Sequence, residues 1–186
     1  MKKLETAQLA SPIGEIAVFA DGEALVGLEF VDAVERTSAV KKHLERALGP
    51  LEYEETKDPA GAITRLKRFF AGDVGALDEQ EVAMHGTAFE LKVWSALREI
   101  KAGEARSYGE VAQAIGSPRA VRAVGAANGH NPIALFVPCH RVIASDGSLH
   151  GYGGGLPRKR WLLDHERAHA PAPRSQTSLA FTRPPG

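Results

Sequence analysis

Cys139 is the only cysteine among the 186 residues. It stands in Pro138-Cys139-His140-Arg141-Val142, with Asn131-Pro132 upstream and Gly153-Gly154-Gly155 downstream. A thiol beside an imidazole is a candidate nucleophile. An ordinary thiol, with a pKa of about 8.5, is mostly protonated at neutral pH and needs a cation, a base or a helix N-terminus to attack well. His140 is the base within reach. Glu166, near the end of a helical stretch, could orient that imidazole as the third member of a nucleophile-base-acid relay. Neighbours on an extended chain point to opposite sides, so the pair needs a backbone bend or a bridging water. The competing reading is structural: a free cysteine is commonly a small buried hydrophobe, and a lone glutamate commonly an exposed helix residue. The stretch Gly151-Tyr152-Gly153-Gly154-Gly155 suits a loop that lies close against a flat ligand.

The elements that must position these residues are mostly helical. Thr87-Ala88-Phe89-Glu90 has the spacing of a capping box and opens a helix with Phe89, Val93, Leu97 and Ile100 on one face. Ser107-Tyr108-Gly109-Glu110 repeats that spacing and opens a second helix, carrying Val111, Ala112 and Ile115 and ending at Gly116. Ser117-Pro118 is expected to start a third, with Val121 and Val124 packed inward. Arg119, Arg122, Ala123 and Ala126 then share the opposite face at i, i+3, i+4 and i+7. The last two helices have the form of a helix-turn-helix. Its small residues permit close approach, and its arginines could meet phosphates or enter the base stack; the plainer alternative is two solvated arginines. Ile133–Val137 reads as a buried strand-like run delivering Cys139 to a pocket, and Pro157 opens a last helix, Arg158–Glu166, with Trp161, Leu162 and His165 or their neighbours turned inward.

Two domains are expected. Residues 1–85 hold 10 basic against 16 acidic side chains, a net of −6, and residues 86–167 hold 11 against 7, a net of +4. Such asymmetry is compatible with a phosphate-facing second domain. The first, 1–85, reads as a small α/β unit. It has a hairpin of 15–20 and 25–30 about Asp21-Gly22, a helix at 34–48 stopped by Gly49-Pro50, a second at about 59–71, and a linker at 73–86. The catalytic segment is 86–167, and the proline-containing tail 168–186 reads as disordered. One cysteine excludes an internal disulfide and a Cys-cluster zinc site; His43 and His85 are isolated, so no metal or cofactor is expected. No 18-residue apolar run and no signal-peptide pattern occur, which makes the cytoplasm the expected compartment and a membrane partner unexpected.

The spaced motifs Arg119-Ala120-Val121-Arg122-Ala123-Val124-Gly125, Asn131-Pro132, Pro138-Cys139-His140-Arg141-Val142, Gly151-Tyr152-Gly153-Gly154 and Trp161-Leu162-Leu163-Asp164-His165-Glu166 together resemble the O6-alkylguanine-DNA alkyltransferases. These are also called methylated-DNA–protein-cysteine methyltransferases. The match runs from about Phe89 to Glu166, and the N-terminal part agrees only in coarse pattern. The resemblance implies an α+β protein, with a small ribonuclease H-like N-terminal domain followed by a winged helix-turn-helix catalytic domain. It implies a monomer that binds double-stranded DNA, flips out an O6-alkylguanine and moves the alkyl group irreversibly to its own cysteine, with O4 of thymine as a second target. By position, Cys139 is the acceptor, His140 its base through a water, and Glu166 the orienting acid. Tyr108 is the donor to the guanine ring, Arg122 the finger that fills the vacated stack, and Asn131 the hinge. Arg119, Ala123, Ala126, Asn128 and Ser107 fall on the DNA side, and Tyr152, Gly153, Gly154, Val142, Pro138 and Trp94 on the pocket side.

The chain departs from the pattern in two places. Asn128 and Gly129 stand where some members carry bulkier or basic groups, which weakens the expected phosphate contacts. Gly153 stands where some carry serine, which removes a hydroxyl and implies a roomier pocket. Two other readings remain beside alkyl transfer: a non-catalytic lesion-binding relative, which would lack the cysteine, and a cysteine hydrolase, which would turn over.

Overall fold

The computed structural model describes residues 1–32 and 34–171, and only the backbone of residues 34–38. The chain is α+β and forms two compact units. One is Met1–Gly86 together with Pro132–Phe136; the other is Thr87–Asn131 together with the residues from Val137 on.

The first unit is built on a four-stranded sheet of β1 (Lys2–Ser11), β2 (Gly14–Asp21), β3 (Ala24–Phe30) and β4 (Leu51–Glu55), in the order β3-β2-β1-β4. β1 pairs antiparallel with β2 and parallel with β4, and β2 pairs antiparallel with β3. The parallel pairing requires a crossover, which α1 (Val34–Leu48) supplies. Leu4, Ala17, Phe19 and Val26 of the sheet bury against Val40 and Leu44 of α1. Gly27 makes the close approach possible, since a Cβ there would meet Phe19 at 3.1 Å and Val40 at 3.2 Å. α2 (Ala62–Phe70) follows a single 3-10 turn at Pro59–Gly61.

The hairpin and α1 match the expectation closely, but three features differ. β1 and β4 were not anticipated: β1 is central yet rich in lysine, glutamate and glutamine, and β4 alternates Leu51 and Tyr53 with glutamates over only five residues at an edge. The stretch expected as a linker packs instead: Val74, Ala76 and Leu77 are buried, Leu25 donates to Glu81 O, and Ala83 donates to Leu25 O, both at 2.9 Å. Ile133–Val137 is buried, as expected, but is not a strand. It pairs with β3 by an isolated bridge between Leu28 and Ile133, and then turns. Leu135 takes φ +71°, closed by a bond from Phe136 N–H to Ala134 O at 2.9 Å, and a tight turn of that kind cannot continue a strand.

The second unit carries α3 (Ala88–Arg98), β5 (Arg106–Ser107), α4 (Tyr108–Ala114), α5 (Val121–Gly129), β6 (Val142–Ile143) and α6 (Leu156–His169). Both expected capping boxes form, Thr87 with Glu90 and Ser107 with Glu110. α5 begins three residues later than the Pro118 start implies; Ala120 is its N-cap and Arg119 lies in the preceding turn. Val124 is buried, but Val121 is 40 % exposed rather than packed inward, because it occupies the first helical turn. α6 runs to His169, two residues past the boundary expected at 167, so 168 and 169 are helical; residues 172–186 of the expected tail lie outside the described residues. The buried face of α6 is Lys159, Leu162, Leu163 and Glu166, while Trp161 and His165 stack on one another outside it at 4.7 Å. Among the described residues, no helix is long and apolar enough to cross a membrane.

Candidate active site

A series of tight turns presents Cys139. Pro138 takes φ −80° and ψ 67°, and Cys139 N–H closes an inverse γ-turn on Val137 O at 2.8 Å. Asn131 Nδ2 donates to the same carbonyl at 2.7 Å, clipping together the two ends of the 132–136 segment. Cys139–Arg141 then forms one 3-10 turn, the bend that the Cys-His adjacency demanded. β6 follows at once and pairs parallel with β5, in register Arg106 to Val142 and Ser107 to Ile143. That pairing sets Ser107, the N-cap of α4, beside the cysteine segment, so Tyr108 begins its helix next to the site.

His140 and Glu166 are both fully buried, and Nε2 lies 2.8 Å from Glu166 Oε1. A carboxylate only accepts, so Nε2 carries the proton and the neutral ring keeps Nδ1 as a bare acceptor. That Nδ1 is buried without a hydrogen-bond partner. Burial pushes His140 below the ordinary imidazole value, against the pull of Glu166, so the ring is neutral at pH 7. Burial alone would raise the Glu166 carboxyl, but Arg141 and His140 outweigh it and hold Glu166 down to about 2. Arg141, also buried, donates from Nε to Oε2 at 3.0 Å and from Nη2 to Oε1 at 2.8 Å, and its Nη1 reaches Ile100 O at 2.6 Å. Glu166 is thus a permanent carboxylate fixed from two sides.

Tyr108 is half-buried, and its hydroxyl points at His150 O, 3.4 Å away. Burial, with the nearby Cys139 as a second cause, raises its phenol above the ordinary value, so it is a protonated donor at neutral pH. The glycine loop is turned by Gly155 N–H to Tyr152 O at 2.8 Å and held by Arg158 Nη1 on Gly154 O at 3.0 Å. Tyr152 is half-buried and Gly153 exposed; Val142 and Pro138 are buried beside the cysteine.

Arg119, Arg122, Ala123 and Ala126 are all exposed, as a contact face requires. Three expected site residues stand elsewhere. Asn128 is only 5 % exposed and donates from Nδ2 to Cys139 O at 3.3 Å, so it faces the cysteine backbone rather than a phosphate; its Oδ1 is buried without a partner. Trp94 is fully enclosed and donates from Nε1 to Ala127 O at 2.8 Å, which makes it a brace beneath α5 rather than a pocket wall. Ser107 is buried at the α4 cap and not on the DNA side. Arg141 and Lys159 are parts of the site that the motifs did not single out. Lys159 carried a signal in its spacing, a lysine at i, i+3, i+4 and i+7 with Leu162, Leu163 and Glu166. Among the described residues no group of three His, Cys, Asp or Glu side chains could hold a metal ion.

Residues 88–168 match the family profile of the 6-O-methylguanine DNA methyltransferase DNA-binding domain. The methylated-DNA–protein-cysteine methyltransferase of Mycobacterium bovis is 46 % identical over 165 residues, covering 87 % of this chain and 92 % of its own. This chain belongs to the methylated-DNA–protein-cysteine methyltransferase family. The family member from Salmonella typhimurium is 41 % identical, covering 89 % of this chain and 97 % of its own. Among solved structures, Mycobacterium tuberculosis OGT in complex with DNA superposes with a TM-score of 0.73 at 43 % identity, over 90 % of this chain and 96 % of that one.

Proposed function

We propose that this protein repairs DNA by moving an alkyl group from O6 of guanine to Cys139, once per molecule. The observation that carries the reading is the bare, buried Nδ1 of His140, one residue from the cysteine, on a ring whose other nitrogen is engaged by a permanent carboxylate. The thiol proton passes to Nδ1 through a bridging water. Sγ attacks the alkyl carbon in line, the carbon–O6 bond breaks, and its electron pair goes to the purine. Tyr108 donates to the guanine ring as that negative charge develops, and the proton lost by the thiol is balanced by the one gained by guanine. The products are a thioether and an ordinary guanine. O4-alkylthymine offers the same alkoxy-heterocycle chemistry and is the second expected substrate.

The lesion must leave the duplex first, at a cost of a few kcal/mol, less for a damaged pair. The exposed Arg122, with Ala123 and Ala126 beside it, fits an inserted finger on a helix that seats closely in the groove. α4 and α5, with the β5–β6 pair and the 144–150 turn behind them, support a winged helix-turn-helix reading of this unit, and the sheet with its crossover helix supports a ribonuclease H-like reading of the other. Double-stranded DNA is the expected partner of a monomer. A single thiol that must stay free fits a reducing compartment such as the cytoplasm.

Duplex DNA carrying labelled O6-methylguanine tests the reading. Stoichiometric transfer of label to protein, abolished by Cys139→Ala, is the expected result. Multiple turnovers would indicate a hydrolase, and binding without transfer a lesion-recognition protein; either result overturns the proposal.

A further inference from the structure

Lys159 is fully buried, and the relay just described does not use it. Its Nζ donates to Val142 O at 2.6 Å and to His150 O at 3.0 Å. These carbonyls belong to the two chain segments that follow the cysteine, β6 and the end of the 144–150 turn. The Tyr108 hydroxyl points at the same His150 carbonyl. One ammonium therefore ties the backbone just after the acceptor to the carbonyl at which the proton donor's hydroxyl points. Burying an unpaired ammonium is costly, and two carbonyl dipoles offset only part of that cost.

Its bond to Val142, three residues after Cys139, makes the cysteine sulfur the candidate counter-charge. Burial pulls Lys159 down to about 8, and the opposing influence, which favours its charged form, is the thiolate of Cys139. Coulombic attraction is reciprocal, so the ammonium favours that thiolate equally. Among the described residues, the other ionisable groups of this cluster include His140 and Arg141 of the 3-10 turn, Glu166 on α6, Tyr108 on α4, and His150, whose ring meets Ser148 Oγ at 2.8 Å. Glu166 is already committed to His140 and Arg141, and Tyr108 is a neutral phenol.

We infer that Lys159 is a positioning residue of the alkyl-transfer site: its buried ammonium ties Val142 to His150, holds the Tyr108 hydroxyl in register and serves as counter-charge to the Cys139 thiolate. This rests on the alkyl-transfer reading for its purpose, but the buried tie of Lys159 to the Val142 and His150 carbonyls stands on geometry alone. When the sulfur becomes a neutral thioether, Lys159 loses its anion and holds its proton less tightly.

The full-length protein and iodoacetamide provide the test, since that reagent alkylates a thiolate without DNA. In Lys159→Met the midpoint of the pH–rate profile for Cys139 should move up by about one unit, a roughly tenfold slower reaction at neutral pH, while Lys159→Arg should keep the wild-type midpoint. The same midpoint in Lys159→Met and wild type overturns the inference. Because Lys159→Met could also disturb folding, the wild-type protein supplies a second readout. With 13C-labelled lysine, the Lys159 Cε titration should shift to lower pH once Cys139 is carbamidomethylated, and an unmoved titration overturns the inference as well. Failure to take a methyl from O6-methylguanine would sink the repair reading and leave both measurements intact.

Discussion

Glu166 serves two partners at once, and its substitution separates two kinds of loss. Glu166→Gln leaves the Arg141 guanidinium buried without a counter-charge, which should cost about 3–5 kcal/mol of stability by denaturant titration. A loss below about 1 kcal/mol would show that Arg141 finds relief elsewhere. His140→Gln removes only the base and should slow alkyl transfer by about 10²–10⁴ with little change in fold, measured as single-turnover rates. Gly153 predicts tolerance: rates on O6-methyl- and O6-benzylguanine should be comparable, and a strong preference for methyl would contradict a roomier pocket. The thiol–imidazole pair at this scale was legible from residue types, whereas the role of Glu166 came with the resemblance to the alkyltransferases, since a lone helix glutamate is ordinarily exposed. Asn128 was misread because its partner is the carbonyl of Cys139, and a side chain's bond to distant backbone leaves no pattern in the sequence.

At the scale of elements, α5 is the part expected to meet DNA. Arg122→Ala should slow repair of a duplex lesion at least tenfold and leave reaction with free O6-benzylguanine nearly unchanged, because only the duplex requires flipping. Equal loss on both substrates would remove the finger role. α4 owes its start to the Ser107 cap, so Ser107→Ala should cost about 1 kcal/mol of stability. Capping boxes are local in sequence, which is why the starts of α3 and α4 were readable to the residue while their ends, Arg98 and Ala114, fall one or two residues short of the expected ones. α5 was placed three residues early because Pro118 is equally at home in a tight turn. The β5–β6 pairing was invisible, since two-residue strands carry no periodicity, yet it is what brings Tyr108 beside Cys139.

For the molecule as a whole, acid should unfold it in two stages. His140 sits below its ordinary value in the fold, so the unfolded chain binds the proton first and stability begins to fall below about pH 6.5. Glu166, held at about 2, contributes fully above about pH 4.5 and loses that contribution as pH falls toward 2, on the order of 3 kcal/mol in all. A melting temperature that stays flat between neutral and acid pH would contradict both assignments. The same single thiol that makes the protein reactive limits it to one use, because the product is a thioether, whose carbon–sulfur bond thiol exchange does not reverse as it would a disulfide. Mass spectrometry of the intact protein, after incubation with excess O6-methylguanine duplex, tests that claim most directly. The account predicts one added methyl per molecule, mapped to Cys139, and one guanine restored for each; repaired guanine in excess of protein, or a methyl on any other residue, would contradict it.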